Sequence, residues 1–300
     1  MSLHIRVPAT TANLGAGVDC LGAALTLYLD LTVRPAEETA FSFSFPDGEG
    51  ALPDGDNLIL QAMRLAAKET GRALPPFFAE VKSGIPLSRG LGSSASAAVA
   101  GLAAGFLLLG EEPDKEKLLT LSTRLEGHPD NASPAVYGGF TAAFGDEDGV
   151  YAVSLPAPPL KAVVAVPDFH LSTKKMREAL PESVPLRDAV ANVQRAAYFV
   201  AALVSGKTED LSPATEDRLF TPARKPFMPY FDDAVRAAKN AGARGCMISG
   251  AGPSLFSLAE EKDAPAVAAA LTKVFEDKTI PAKVLTLDFA AEGVRWAKED

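Results

Sequence analysis

The most informative stretch of this sequence is rich in glycine and serine: Pro86-Leu87-Ser88-Arg89-Gly90-Leu91-Gly92-Ser93-Ser94-Ala95-Ser96. The small and apolar residues at 93–109 predict a long helix directly after it. Backbone amides of such a turn can point inward as an anion nest, and the helix N-terminus behind them adds a partial positive charge. The stretch therefore predicts a phosphate-binding loop. The alternative is a turn whose glycines only permit close packing.

Two better-known phosphate motifs fit this sequence less well. Residues 206–208, Gly-Lys-Thr, resemble the end of a Walker A loop, but the first glycine of that motif would fall at Ala201, inside a predicted helix. Gly90-x-Gly92-x-x-Ala95 formally matches a dinucleotide fingerprint. However, Pro86 and Arg89 separate it from the predicted strand at 77–82, so the match is weak. A nicotinamide oxidoreductase is the alternative that follows from it, and absence of nicotinamide binding would exclude it.

Composition limits the class of protein. The 300 residues carry 29 Lys and Arg against 38 Asp and Glu, a formal net charge of −9, which is typical of a globular chain of one large or two ordinary domains. Without a basic stripe, no nucleic-acid partner is expected. Cys20 and Cys246 match no metal spacing and indicate a reducing compartment. The most apolar segment, 97–109, is too short to cross a bilayer, which needs about 20 residues. A cytoplasmic protein without a membrane partner is expected.

Hydrophobic periodicity predicts the order of elements. A period of two predicts strands at 3–7, 25–34 and 41–45, and helical patterns lie at 57–70, 93–109 and 113–125, before a hairpin at 140–155. The stretch Pro156-Ala157-Pro158-Pro159 predicts a boundary between domains 1–156 and 157–300. The second domain is predicted to contain a strand at 160–166, helices at 174–180, 186–204, 230–240 and 265–275, short strands around 250–253 and a last strand at 283–287. This order predicts an α+β fold whose two domains share a cleft.

Three further segments contain candidate binding residues. The turn Val7-Pro8-Ala9-Thr10-Thr11-Ala12-Asn13-Leu14-Gly15-Ala16-Gly17-Val18-Asp19 places an amide and a carboxylate where a ligand can meet them. Asn and Asp also bond their own backbone in turns, which is the alternative for Asn13 and Asp19. The other two segments are residues 126–139, which contain His-Pro-Asp-Asn, and residues 248–254, Ile-Ser-Gly-Ala-Gly-Pro-Ser.

In these four segments the sequence resembles the homoserine kinases, a branch of the GHMP small-molecule kinase superfamily. The segments occur in the expected order between residues 7 and 287, and the first turn and the His-Pro-Asp-Asn segment are specific to this branch. The resemblance implies the two-domain GHMP kinase architecture, with ATP and substrate in the cleft between the domains. It also implies ATP-dependent phosphorylation of the L-homoserine hydroxyl in threonine biosynthesis, and a homodimer.

The resemblance further implies roles for single residues at the nucleotide. The loop 86–96 would hold the triphosphate of ATP, with Mg²⁺ on Ser94 and Glu126, because Mg²⁺ needs few protein ligands beside phosphate and water. Asn57 and Lys82 resemble nucleotide-site positions. A surface charge at a helix end is the alternative for Glu126, and helix capping is the alternative for Asn57.

At the amino acid, the resemblance places around homoserine the residues Asn13, Asp19, His128, Asp130 and Thr173. Arg177 and Arg224 would hold its carboxylate, since a guanidinium fork matches a carboxylate bidentately. Other GHMP branches carry an aspartate as candidate base where this sequence has Asn131. Phosphoryl transfer assisted by Asn131, Glu126 and Ser94, without a strong side-chain base, is therefore expected. A buried structural histidine is the alternative for His128.

Two other functions remain open at this point. A GHMP kinase for a sugar or an isoprenoid alcohol would not need partners for both a carboxylate and an ammonium group. A non-catalytic nucleotide-binding sensor can share the fold, because fold alone does not fix activity. The intact loop together with Glu126 disfavours the sensor.

Overall fold

The computed structural model describes residues 2–45, 48–49 and 57–299. Its strands are β1 (Ser2–Leu14), β2 (Gly17–Pro35), β3 (Ala40–Phe45), β4 (Gly48–Glu49), β5 (Phe77–Ser83), β6 (Phe140–Gly145), β7 (Val150–Leu155), β8 (Lys161–Pro167), β9 (Gly245–Ile248), β10 (Leu255–Ala259), β11 (Ala282–Leu287) and β12 (Arg295–Glu299). Its helices are α1 (Leu58–Thr70), α2 (Ser93–Leu108), α3 (Lys115–Glu126), α4 (Ala132–Tyr137), α5 (Thr173–Glu178), α6 (Leu186–Ser205), α7 (Leu211–Ala214), α8 (Thr221–Arg224), α9 (Phe231–Asn240) and α10 (Ala264–Asp277), with a 3₁₀ turn at Lys225–Phe227.

The first sheet has the strand order β12-β1-β2-β5-β3-β4, and β6 pairs with β2 and carries β7. Its alternating strands bury one row of side chains, as the period of two requires, with Ile5, Leu31 and Val81 at most 2% exposed. Helix α2 packs against β1 and is apolar on all sides, so nearly its whole length is buried. This burial fixes the start of α2, where the glycine-rich loop ends.

The second sheet is antiparallel, in the order β11-β8-β10-β9, and α9 and α10 cover it. The aromatic ring of Tyr230 packs on that of Phe275 in its core, with 4.6 Å between centroids. In the described part of the chain, no helix is both long enough and apolar enough to span a lipid bilayer.

Most predicted elements are present, but one expectation changes. The segment 283–287 is β11, yet it is not the last strand, because β12 follows and pairs antiparallel with β1. Strand β12 was not predicted because its sequence, Arg-Trp-Ala-Lys-Glu, is mostly exposed and polar. An exposed edge strand of this kind shows no alternation of apolar and polar residues. The predicted short strands around 250–253 are β9 and β10, which flank that turn. The boundary at 156/157 stays a prediction, although β12 lies on the first sheet.

Candidate active site

A cleft of about 1110 Å³ brings together most of the predicted site residues. Those that line it are Asn13, Asn57, Leu87, Ser88, Arg89, Gly90, Leu91, Gly92, Ser93, Ser94, Glu126, His128, Asn131, Arg177 and Arg224. Its walls come from the β1–β2 turn, the glycine-rich loop, the end of α3, the segment after β8 and the turn at 250–252. The α+β fold therefore joins the sequence segments that the resemblance relates to one site.

The glycine-rich loop is held tightly on both sides. Gly92 has φ +66°, and a Cβ there would lie 1.8 Å from Thr10 Oγ1 on β1. A Cβ on Gly90, at φ +76°, would lie 2.3 Å from the Ser249 carbonyl oxygen. No side chain of the described residues caps α2, and its first turn contains no acidic residue. Its first N–H groups can therefore bind an anion.

The loop's last residues divide between the cleft and the core. Ser96 is fully buried, and its Oγ donates to the Pro8 carbonyl oxygen at 2.8 Å, so this hydroxyl fastens α2 to β1. Ala95 is also fully buried. Ser93 and Ser94, in contrast, line the cleft.

Ser94 and Glu126 meet across the loop. Gly127 ends α3 in the left-handed conformation, so Glu126 is the last helical residue and faces α2. The Ser94 Oγ donates to Glu126 Oε1. Burial raises the pKa of Glu126, which the Ser94 hydrogen bond opposes. One hydroxyl and one carboxylate, both hard oxygen donors, fit a Mg²⁺ ion that also binds phosphate oxygens.

Arg177, at the opposite end of the cleft, forms an ion pair with Asp19, which does not itself line the cleft. Arg177 donates from both terminal nitrogens to the two carboxylate oxygens of Asp19, at 2.9 Å each. Burial alone would raise the pKa of Asp19, but the hydrogen bonds and charge of Arg177 outweigh it and lower that pKa. Asn13 Oδ1 accepts a hydrogen bond from the Asp19 amide at 2.9 Å, and both residues have positive φ. Asn13 therefore stabilises the turn, as its alternative interpretation predicted, while the Asp19 carboxylate still pairs with Arg177.

His128 and Asp130 form a second pair beside the first. His128 Nδ1 lies 2.5 Å from Asp130 Oδ1, which raises the pKa of His128. Asp130 is fully buried, and its Oδ2 has no hydrogen-bond partner in the described residues. Oxygen and nitrogen ligand atoms of Asp19, His128 and Asp130 lie within 4.8 Å of one another. The cluster is suited to binding a cationic group.

Arg224 is a buried cation at the cleft wall. Its side chain is almost fully buried, its Nη1 donates to the Gly250 carbonyl oxygen at 3.3 Å, and its Nε has no partner among the described residues. Burial lowers the pKa of Arg224, since the charged form is poorly solvated there. A buried, incompletely paired guanidinium is ready to bind an anion.

Asn131 contacts the loop directly. It precedes α4, and its Oδ1 accepts from Thr10 Oγ1 at 2.7 Å. A Cβ on Gly92 would lie 3.1 Å from the same Oδ1, so the amide sits against the loop that would hold phosphate.

Four predicted site residues described above do not line the cleft: Asp19, Asp130, Ala95 and Ser96. Three others are placed differently from the prediction or lie outside the described residues. Lys82 is exposed, its Nζ lies 3.1 Å from Glu80 Oε2, and it does not line the cleft. Its neighbour Val81 does line the cleft, and successive residues of a strand face opposite sides. Pro86 also lies outside the lining, and the Thr173 side chain lies outside the described residues. Asn57 both lines the cleft and caps α1, accepting from the Leu60 amide at 3.0 Å.

Sequence reasoning missed the partners of Arg89. Its guanidinium is buried, and it donates to His170 Nδ1 at 2.6 Å and to Asp168 Oδ1 at 2.9 Å. Both partners follow β8, and polar residues directly after a buried strand were the available signal. The contact ties the loop to the second sheet. Phe43 and Phe45, stacked at 5.8 Å, were predicted only as strand residues but line an apolar end of the cleft.

Family models match both halves of the chain. Residues 57–139 match the GHMP kinases N terminal domain, and residues 199–277 match the GHMP kinases C terminal domain. A mevalonate kinase structure, at 15% identity and a TM-score of 0.70, shares the fold. Two α+β domains with this loop in the cleft between them define a GHMP-type kinase.

Relatives that match most of the chain show which branch of the GHMP kinases it belongs to. A homoserine kinase of Thermus thermophilus is 45% identical over 270 residues, which cover 89% of this chain and 90% of that protein. The homoserine kinase of Synechocystis is 38% identical and covers 99% of both chains. The crystal structure of homoserine kinase from Cytophaga hutchinsonii has a TM-score of 0.88 and 31% identity, covering 99% of this chain and 97% of that one. The chain belongs to the homoserine kinase family.

Proposed function

We propose that this chain transfers the γ-phosphoryl group of ATP to the hydroxyl of L-homoserine, which yields O-phospho-L-homoserine in threonine biosynthesis. The observation that carries the proposal is that one cleft holds both the glycine-rich loop and two guanidinium groups that suit a carboxylate. The carboxylates that suit an ammonium group, Asp19 and Asp130, do not line the cleft themselves but pair with its lining residues Arg177 and His128. The family membership supports the same reaction.

The glycine-rich loop, together with Ser94 and Glu126, would position the phosphoryl group for transfer. Phosphoryl transfer passes through a loose transition state, so positioning and charge stabilisation supply most of the catalysis. The N–H groups at the start of α2 would bind the phosphates. Ser94 and Glu126 would hold Mg²⁺, which supplies charge neutralisation on the phosphates when it is bound. The apolar end of the cleft, with Phe43 and Phe45, suits a purine base.

The opposite end would orient the amino acid. Arg177 and Arg224 suit its carboxylate, and Asp19 with the buried Asp130 suits its ammonium group. In the protein without substrate, Asp19 and Arg177 neutralise each other. A bound zwitterion would supply both opposite charges, so each residue would exchange one ionic partner for another.

The proton of the substrate hydroxyl needs no strong side-chain base here. Asn131 is the polar group that sits against the loop, and an amide does not accept a proton at neutral pH. The proton would leave late in the transfer or pass to a phosphate oxygen.

A coupled ADP-release assay with ATP, Mg²⁺ and a panel of L-homoserine, L-serine, mevalonate and galactose tests the function. We expect turnover with homoserine. Turnover with another alcohol alone would keep the kinase and discard the substrate. ATP binding without any turnover would favour a nucleotide-binding sensor.

Asn131→Asp is expected to lower kcat/KM by about tenfold. The new carboxylate would lie beside the loop proposed to bind the triphosphate and next to the buried Asp130. Its negative charge would repel the phosphates of ATP, which outweighs any gain from a general base. Steady-state rates at pH 8 measure this, with the exposed Asn240→Asp as the matched control. A rate increase well above tenfold would show that a base was missing, which contradicts the mechanism.

Arg89→Lys is expected to lower kcat/KM for ATP by about tenfold and to leave the homoserine KM within about threefold, because lysine cannot hold both partners of the buried fork. Asp168→Asn should change either value by less than about twofold, since the Asp168 side chain is 74% exposed and such ion pairs contribute little. Unchanged kinetics in Arg89→Lys would show that the contact does not position the loop.

The finer properties implied by the resemblance also remain proposals. We propose that the protein acts in the cytoplasm, binds neither nucleic acid nor membrane, and forms a homodimer.

A further inference from the structure

Helix α6 (Leu186–Ser205) is apolar on two opposite faces. One face packs inward through Ala191, Phe199 and Ala202. The opposite face carries an exposed row that we call the α6 stripe, formed by Leu186, Val190, Val193, Ala197, Ala201 and Val204. With 3.6 residues per turn, these positions lie on one side of the helix. The inner face explains how the helix folds onto the protein, but it does not explain the stripe.

The exposure of the stripe is large and continuous. Leu186 is 79% exposed, Val193 is 70% exposed and Val204 is 66% exposed. Single exposed apolar residues are ordinary on a protein surface, whereas a row of them along a helix about 30 Å long is typical of an interaction surface. The charged residue at its margin is Arg187, near one end of the helix.

We propose that the α6 stripe is the contact between two copies of this chain, packed antiparallel about a two-fold axis level with Arg195. This inference rests on the proposed homodimer but is independent of the proposed reaction. The two α6 helices would form an isologous contact, in which the same surface of each copy meets the other.

The spacing of the stripe favours a second copy as the occupant. Leu186 and Val204, Val190 and Val200, and Val193 and Ala197 are pairs equidistant from residue 195. An antiparallel pair of helices brings the members of each pair together. The half-buried Val200 completes the 3.5-residue repeat of a helix–helix seam. At the centre, small Ala197 meets larger Val193, so the seam can interdigitate.

Area and charge agree with this arrangement. The exposed stripe offers on the order of 500 Å² per chain, so a pair buries on the order of 1,000 Å², the lower range of specific interfaces. The antiparallel order also aligns the helix dipoles favourably and keeps the two copies of Arg187 apart. Gln194 would face its own copy beside the axis, where two amides can exchange hydrogen bonds.

The β6–β7 hairpin supplies a matched control surface. Its Val153 is 61% exposed, close to the exposure of Val193, and the neighbouring Phe144 and Tyr151 rings stack on each other at 5.0 Å. Val193→Glu and Val153→Glu therefore make the same chemical change at similar exposure on two different faces.

Sedimentation equilibrium of the full chain provides the first test. We expect a wild-type dimer, a dissociation constant raised by about a hundredfold or more in Val193→Glu, and an unchanged dimer in Val153→Glu. Circular dichroism checks the fold of each variant. A wild-type monomer would overturn both the homodimer and the interface, whatever the ADP-release assay shows. A dimer that survives Val193→Glu, or one lost in Val153→Glu alone, would overturn the interface and keep the homodimer.

Cross-linking provides the second test and sets the direction of the helices. In a Cys20→Ser background, with Cys246 buried, a short bismaleimide should join Gln194→Cys copies efficiently. Two Arg187→Cys copies would lie about 24 Å apart along the antiparallel pair and should not be joined. Joining at 187 without joining at 194 would overturn the antiparallel contact, even if Val193→Glu did not fold.

Discussion

Replacing Glu126 with Gln is expected to reduce kcat by about a hundredfold or more, without loss of stability. Gln keeps the shape of the side chain and can still accept the Ser94 hydrogen bond, but it removes the negative charge proposed to hold Mg²⁺. Losses of this size are usual when a group that stabilises transition-state charge is removed. Steady-state rates at saturating ATP and homoserine measure the effect.

The stability of the same variant tests the physical cause. Burial raises the pKa of Glu126 above its ordinary value of 4.5, so the ionised carboxylate disfavours the folded state. The stability contributed by the protonated group is complete below pH 4.5 and is lost as pH rises through the higher folded pKa. Without Mg²⁺ at pH 7 to 8, we therefore expect the Tm of Glu126→Gln to equal or exceed that of wild type.

The control for Glu126→Gln is Glu116→Gln, the same change at an exposed position of the same helix, α3. It should leave kcat within about twofold, since surface changes of this kind have small effects. A raised Mg²⁺ requirement in Glu126→Gln would support a metal ligand. A kcat within threefold of wild type at all Mg²⁺ concentrations would show that Glu126 is only a helix-end charge.

Local chemistry made the glycine-rich end of the cleft predictable from sequence. The glycines of the loop and the start of α2 lie in one short segment, so their turn and helix could be predicted without knowledge of the packing. The position of Lys82 outside the cleft could also have been predicted, from the alternation of side chains along a strand. Val81 is buried and lines the cleft, and the next residue of a strand must face the other side.

Contacts between distant segments could not be predicted in the same way. Arg89 and His170 are 81 positions apart, and they meet only because the second sheet packs against the loop. The incomplete pairing of Arg224 is likewise a consequence of tertiary burial, which residue type alone does not reveal. The resemblance gave Arg224 a role, while the structure gives a physical reason for it.

Replacing Arg224 with Met is expected to raise the homoserine KM by about a hundredfold and to leave the ATP KM within about threefold. Loss of one partner from a buried, charge-assisted hydrogen-bonded pair costs about 2–5 kcal/mol. Met retains much of the volume of the arginine stem, so the cleft wall is preserved. The unbound variant should be at least as stable as wild type, since it lacks a buried cation whose pKa is lowered by burial.

The matched control is Arg195→Met, which removes a partly buried arginine of the same domain that does not line the cleft. A second substrate isolates the carboxylate. 3-Aminopropan-1-ol is homoserine without its carboxylate, so wild type should lose at least as much kcat/KM on this alcohol as Arg224→Met loses on homoserine, because Arg177 is also proposed to contact the carboxylate. Any additional loss of wild type on the alcohol reflects Arg177, and the variant should use the alcohol nearly as well as wild type does. An equal rise in the KM of homoserine and ATP would contradict the assignment, because Arg224 would then support the cleft as a whole rather than bind the carboxylate.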